Sequence, residues 1–217
     1  MSTVPFQLIP IIGLCCNLVV VLGNCYSQFK TKTINFKEAF PYIVSSIPAS
    51  FLGGTLSIQK ETLLTLLGTA LLIASIGLIL PMKEDKQLSN INPNAKCLIK
   101  ILLGGGIGFL SGILGIGGGI FLAPCIYFLR FTKTEHVPSI TSLFIFINSL
   151  SALAGHSLKM TEPWTNQTTS IVIIFLLCVI AGSFIGNKLR LKLVEQKTLK
   201  KITGVVILIA SIKLLLV

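Results

Sequence analysis

A run of glycines inside a long apolar stretch is the feature of this sequence that points most directly to chemistry. Residues 97–129 are apolar for 33 positions. A continuous helix of that length would reach about 50 Å, well beyond a bilayer core. Clustered glycines destabilise a helix by roughly 1 kcal/mol each. The pattern therefore predicts two shorter helices that meet at Gly115, Gly117, Gly118 and Gly119.

The predicted break favours an anion as the ligand. Broken helices at membrane depth are tolerated only where they are buried in protein or line a cavity. A half-helix beginning near Gly119 would direct free N–H groups and its positive dipole end into that cavity. All seven acidic residues fall in predicted loops or at span ends, which argues against a carboxylate-based proton or sodium relay. We expect a small anionic substrate at the glycines.

Hydroxyl and amide side chains are the other polar groups available within the apolar spans. Most groups of this kind form hydrogen bonds between helices. Four are expected nearest the ligand, because they lie close to the break in sequence or are paired by an internal duplication: Ser111, Ser142, Asn148 and Asn17.

His156 ends another apolar span, in the sequence Ala-Gly-His. An imidazole at that position is a candidate proton carrier, and a histidine hydrogen-bonded at the membrane interface is the alternative interpretation. No serine–histidine–aspartate arrangement and no metal-ligand spacing is visible, and the six cysteines include no C-x-x-C pair. We therefore predict no catalytic residues, no metal and no cofactor.

The composition places these residues in a membrane. The chain is 53% hydrophobic and only 12% charged, with a net charge of +11. Soluble domains carry about 25% charge, so an ordinary soluble, disordered or nucleic-acid-binding protein is excluded and the lipid bilayer is the expected partner. Six conventional spans are predicted at roughly 5–27, 39–57, 62–81, 137–157, 169–188 and 201–217.

The basic residues indicate how often the glycine stretch crosses the membrane. An even number of crossings by 97–129 puts 15 basic residues on one side and 3 on the other, whereas a single crossing gives 9 and 9. Basic residues concentrate in cytoplasmic loops. We therefore predict an even crossing, as a re-entrant or short-helix hairpin, in a cell-membrane protein with multiple spans. Loops 28–38, 82–96 and 189–200 are then cytoplasmic, and Lys100 is counted with them.

Similar segments recur in the two halves of the chain. The sequence at 71–80 returns at 207–216, and ASFLG at 49–53 returns as GSFIG at 182–186. Secondary transporters are commonly built from such repeats. The predicted fold is an all-α polytopic membrane protein with two inverted repeats of three transmembrane helices, the second opened by the glycine hairpin.

The repeat offset also defines the predicted domains. Residues 1–81 form the first repeat, 82–96 a cytoplasmic linker and 97–217 the second repeat. The offset of 131 to 136 places the first copy of the glycine motif before Met1. We therefore expect the first repeat to lack its glycine hairpin.

The run GGGIGFLSGILGIGGGIFLAPCIYF at 104–128, followed by TSLFIFINSLSALAGH at 141–156, resembles the TauE/SafE sulfite-exporter family of membrane transporters. The resemblance implies transport of sulfite or a related organosulfur anion by alternating access. The first half departs from the family pattern, because it has Gly23-Asn24 in place of Gly-His. The alternative is a truncated or non-transporting membrane subunit, which completes its site with a partner chain or in a homo-oligomer.

Overall fold

The computed structural model describes residues 8–30, 34–79, 92–129, 131–159, 166–193 and 196–216. These residues form eight α-helices and one short 3-10 helix, Thr134–His136, with no strand among them. The α-helices are α1 Leu8–Lys30, α2 Phe36–Thr55, α3 Lys60–Ile79, α4 Pro93–Leu114, α5 Gly119–Leu129, α6 Val137–Leu158, α7 Asn166–Leu193 and α8 Gln196–Leu215. The prediction of an all-α fold is confirmed.

Five of the described helices, α1, α3, α4, α6 and α7, contain a segment long and apolar enough to cross a membrane. The shorter apolar part of α8 is 202–215, and α2 carries internal prolines, serines and a charged first turn that lower its hydropathy. Each predicted span therefore corresponds to a helix. Most of the predicted linker 82–96 lies outside the described residues, as do parts of the two other loops predicted to be cytoplasmic.

Glycine-on-serine packing joins α4 to α2. A Cβ at Gly108 would lie 2.8 Å from Cα of Ser46, and one at Gly104 would collide with the backbone of Tyr42. The Ser46 hydroxyl donates to the Ile43 carbonyl of its own helix, 2.9 Å away. Because that polar group is satisfied within α2, the two backbones approach closely without an unpaired hydroxyl between them. Gly104 and Gly108 thus serve the close packing of α4 on α2.

The opposite side of α2 packs against α6. A Cβ at Gly54 would lie 3.3 Å from Cα of Gly155, and the Ser151 hydroxyl donates to the Ile47 carbonyl at 2.7 Å. Helix α2 is therefore held between α4 and α6, while α3 packs on α8 and α1 on α6 and α7.

An apolar cluster fills the space between α1, α2, α4, α5 and α6, and we call it the central apolar cluster. Its buried members are Val21, Cys25, Ala39, Tyr42, Ile107, Leu122, Ile126, Val137, Ile140, Leu143 and Phe144. It extends from the start of α5 toward the starts of α2 and α6. This cluster separates the glycine break from the end of the bundle that is predicted to face the cytoplasm.

Candidate functional site

The glycines break the helix as predicted. Helix α4 ends at Leu114, and its C-cap Gly115 has φ 69° and donates from its N–H to the Ser111 carbonyl at 2.9 Å. Gly117 and Gly118 also have positive φ, 73° and 77°, a conformation that disfavours side chains. Helix α5 then begins at Gly119. The N–H groups of Phe121 and Leu122 donate to the Gly118 carbonyl, both at 3.1 Å. The two N–H groups before them, at Gly119 and Ile120, have no acceptor in the preceding turn of α5, so they can donate to a ligand that approaches this end of the helix.

Three helices surround this turn of residues 115–118, which we call the glycine loop. On α1, Asn17 donates from Nδ2 to the Ile116 carbonyl at 2.7 Å. On α6, the Ser149 hydroxyl lies 2.7 Å from the position that a Cβ at Gly117 would take. The Ser111 hydroxyl of α4 lies 3.1 Å from the corresponding position at Gly118. The structure therefore places Asn17 and Ser111, two of the predicted site residues, beside the glycines.

Several polar atoms in this region are buried without a hydrogen-bond partner in the described part of the chain. They are the hydroxyl oxygens of Ser111 and Ser149 and both amide atoms of Asn148. All three residues are 0% exposed. A buried polar group left unpaired costs about 1–3 kcal/mol. Native structures contain few such groups, so each of them needs an explanation, such as a bound ion or water. The hydroxyls of Ser111 and Ser149 therefore give the glycine loop a polar lining inside an apolar bundle.

Ser142, another predicted site residue, lies farther away. Its hydroxyl donates to the Pro138 carbonyl at 2.8 Å and accepts from Gln28 Nε2 at 3.2 Å. Ser142 precedes Ser149 by two helical turns, about 10 Å along α6. It therefore lies near the start of α6, away from the glycine loop.

His156 joins the other end of α6 to the last turn of α4. Its Nε2 lies 2.8 Å from the Gly112 carbonyl oxygen. Because a carbonyl oxygen only accepts, Nε2 must carry the proton in this hydrogen bond. The residue is 2% exposed, and its Nδ1 has no partner in the described residues. His156 thus anchors α6 to α4 and keeps one nitrogen free to accept a proton.

A cavity of about 380 Å³ reaches the glycine loop from the end of the bundle where α4 ends and α3 begins. Its lining includes Asn17 of α1, Gly115 and Ile116 of the glycine loop, and Leu63 and Leu67 of α3. This volume lies within the range of sites for small molecules. No cluster of three or more His, Cys, Asp or Glu is placed to hold a metal ion among the residues that the structure describes.

Sequence reasoning misses two residues. Ser149 is one of several hydroxyls in its span, and nothing in its spacing shows that it faces the glycine loop. Lys100 is counted with the cytoplasmic charges, but it lies inside α4 and is only 8% exposed. The apolar residues on both sides of it, Cys-Leu-Ile before and Ile-Leu-Leu after, could have indicated that Lys100 lies inside a span and not in a loop.

The chain is similar in sequence to several known membrane proteins. The chain is 27% identical over 209 residues to the probable membrane transporter protein y4hK of Sinorhizobium fredii, covering 94% of this chain and 81% of the relative. It is 22% identical over 215 residues to the probable membrane transporter protein YunE of Bacillus subtilis, covering 89% of this chain and 75% of the relative. The probable membrane transporter protein YjnA of Bacillus subtilis is 26% identical over 217 residues, with coverage of 92% and 81%.

No solved structure matches the chain. The family described as sulfite exporter TauE/SafE matches residues 1–214, nearly the whole sequence. The chain, with its broken helix and its apolar spans, is therefore a member of the TauE/SafE family of membrane transporters.

Proposed function

We propose that this transporter carries a small anion, sulfite or a related organosulfur anion, by alternating access. The observation that carries the proposal is the pair of buried hydroxyls, Ser111 and Ser149, which lie beside Gly118 and Gly117 and have no hydrogen-bond partner among the described residues. The amide of Asn148, next to Ser149 on α6, is likewise buried without a partner in that part of the chain. Hydroxyl and amide hydrogens, together with the first N–H groups of α5, are hydrogen-bond donors that suit oxyanion oxygens.

The described charges are compatible with this cargo. The acidic residues that the structure describes, Glu38, Glu61 and Glu135, lie in the first turn of α2, α3 and the 3-10 helix. None of the three lines the cavity that reaches the glycine loop. Because a site made of dipoles and hydroxyls recognises size and charge, we expect it to accept several oxyanions of similar size.

Transport assays in proteoliposomes test the proposal. Flux of sulfite and of methanesulfonate is measured for the wild type and for Gly118→Leu. At Gly118 a side chain is strained by the positive φ, and its Cβ would lie 3.0 Å from both Ser111 and Phe144. We expect Gly118→Leu to insert normally and to lose at least about nine-tenths of the flux, a barrier change of about 1.4 kcal/mol.

Gly106→Leu is the matched control, because a Cβ at Gly106 meets nothing within 4 Å. This variant should transport as the wild type does. Ser111→Ala and Ser149→Ala should each weaken binding of the anion, since each removes one donor without adding volume. Absence of anion flux in the wild type, or full flux in Gly118→Leu, contradicts the proposal.

A membrane subunit that completes its site with a partner chain is the second candidate. The duplication pairs 49–53 of α2 with 182–186 of α7. On α2 this segment packs closely on α4, where a Cβ at Gly53 would lie 3.2 Å from Cα of Gly112. On α7, positions 181–186 are exposed, and a Cβ at Gly182 or Gly186 meets nothing within 4 Å. Small residues spaced by four favour helix association in membranes.

Crosslinking at Cys178 tests this candidate. Cys178 is exposed on α7, and Gly182 follows it by four residues on the same helix face. If a second copy of the chain packs on this face, Cys178 should crosslink to itself in native membranes, and Gly182→Leu should abolish the crosslinked dimer. A chain that transports an anion as a monomer, with no Cys178 crosslink, excludes this candidate.

A further inference from the structure

Lys100 is a buried cation at the opposite end of the bundle from the cavity. It lies on α4 and is 8% exposed. Among the described residues, the contacts within 4 Å between a basic side chain and a carboxylate both involve Glu135, one with the Lys133 ammonium and one with the His136 imidazole. Within that part of the chain, no carboxylate lies within 4 Å of the Lys100 ammonium. A buried charge without an ionic partner is costly, so Lys100 is a candidate functional residue.

Two further polar groups adjoin Lys100. Its Nζ lies 5.6 Å from the centre of the Tyr42 ring. Tyr42 is 0% exposed, and its hydroxyl has no hydrogen-bond partner in the described residues. Glu38, one turn before Tyr42 on α2, is close enough to act electrostatically on both groups. Its Oε2 is also buried without a partner among the described residues.

Lys100 and Tyr42 offer hydrogen-bond donors that suit an anion, and the Glu38 carboxylate would compete with that anion for them. The ammonium offers three donors and the phenol one. Hydrogen bonds from charged donors to an oxyanion are roughly twice as strong as neutral ones. Among the residues that the structure describes, Glu38 is the negative group close to them, and it is not in contact with Lys100. An incoming anion would therefore find donors that are desolvated but not already bound to the carboxylate.

The position of Lys100 separates it from the glycine loop. Lys100 precedes Gly115 by fifteen residues of α4, which corresponds to about 22 Å along the helix. The central apolar cluster occupies the space between, and Tyr42 is one of its members. Lys100 therefore lies on the far side of this barrier from the cavity.

We propose that Lys100 and Tyr42 form a second binding position for a small oxyanion, at the end of the bundle where α2 begins. It would hold the cargo on the side of the central apolar cluster opposite to the glycine loop, and Glu38 competes with the anion for Lys100. The proposal rests on the proposed anion transport and adds a position that the cargo occupies when it enters or leaves.

Protection of Lys100 from acylation tests this position directly. The full chain in lipid is treated with an amine-acylating reagent in methanesulfonate or in gluconate, a much larger anion, at equal ionic strength. Peptide mass spectrometry then measures the modification rate of each lysine. We expect methanesulfonate to slow acylation of Lys100 but not of Lys37, which is exposed on α2 at the same end of the bundle.

Two conservative variants distinguish binding from a purely structural role. Tyr42→Phe keeps the ring over which Lys100 lies and removes only the hydroxyl, so protection should require about tenfold more methanesulfonate. Glu38→Gln removes the competing charge, so protection should require several-fold less. A lysine that only anchors the helix would not respond to these two variants in opposite directions.

Flux measurements separate this proposal from the proposed function. With anion supplied from the Lys100 side, Lys100→Gln should raise the concentration for half-maximal flux about tenfold, whereas Lys37→Gln should change it less than about twofold. Equal acylation of Lys100 in the two salts overturns the Lys100 position even if the wild type transports the anion. A wild type without flux contradicts the proposed function, and the acylation result still decides the Lys100 position.

Discussion

Asn17 Nδ2 donates to the Ile116 carbonyl oxygen at 2.7 Å, and this bond joins residues 99 positions apart. It fixes the glycine loop to α1 at the one residue of the loop that is not glycine. The same asparagine lines the cavity beside the loop. Asn17 therefore holds the start of α5 in place, in addition to any contact with the cargo.

Replacing Asn17 with leucine should loosen the glycine loop. Asn17→Leu leaves the Ile116 carbonyl without its donor, which costs about 1–3 kcal/mol. We expect a lower midpoint of thermal unfolding in detergent and a loss of anion flux. Asn24→Leu makes the same change at an exposed position of the same helix and should shift stability by no more than about 0.5 kcal/mol. Equal effects of the two variants would contradict the anchoring role.

The contact between α2 and α4 should not tolerate a methyl group at Gly112. A Cβ there would collide with the Ser50 carbonyl, so the helices must separate to admit it. We expect Gly112→Ala to destabilise the fold by about 1–3 kcal/mol, measured by unfolding in detergent. Gly106→Ala, in the same helix but facing open space, should instead raise stability by up to about 1 kcal/mol, because alanine is the better helix former.

Two substitutions of His156 separate its hydrogen bond to the Gly112 carbonyl from a role in proton transfer. Glutamine retains a donor for the Gly112 carbonyl but cannot carry a proton at neutral pH. We expect His156→Gln to keep the wild-type stability and pH profile of transport, and His156→Ala to lose stability because the buried carbonyl is left unpaired. A pH dependence that disappears in His156→Gln would instead identify this residue as a proton carrier.

The charge distribution makes a prediction about topology. Reporter fusions in the 28–38 and 189–200 loops should both report the cytoplasm, because an even crossing by 97–129 puts 15 basic residues on that side. A fusion near Lys60 should report the opposite side. Opposite locations for the first two fusions would require a single crossing and would contradict the predicted inverted repeats.

The sequence was sufficient to predict the break and the residues at which it occurs. Clustered glycines have a direct backbone consequence, so the end of α4 and the start of α5 at Gly119 could be placed without tertiary information. The duplication singled out Asn17 and Asn148, and the structure brings Asn17 to the loop. The break could be predicted because it depends on the local conformation of the glycines. Asn17 could be singled out because the duplication pairs it with Asn148.

The depth and direction of single side chains could not be predicted in the same way. Ser142 and Ser149 are seven residues apart and share a face of α6, but only packing against α5 decides which of them reaches the glycine loop. Lys100 looked like a loop charge because a sidedness count records which end of the membrane a residue is nearer to. Such a count carries no information on whether the side chain points toward lipid, water or protein.

The central apolar cluster has a thermodynamic consequence for transport. The proposed alternating access would open a path between the glycine loop and the Lys100 end. Opening it would hydrate side chains such as Leu122, Ile126 and Phe144, which are 0% exposed in this structure. Exposing apolar surface to water raises the heat capacity. The opening step should therefore have an enthalpy that changes with temperature, and an Arrhenius plot of the anion flux should be curved.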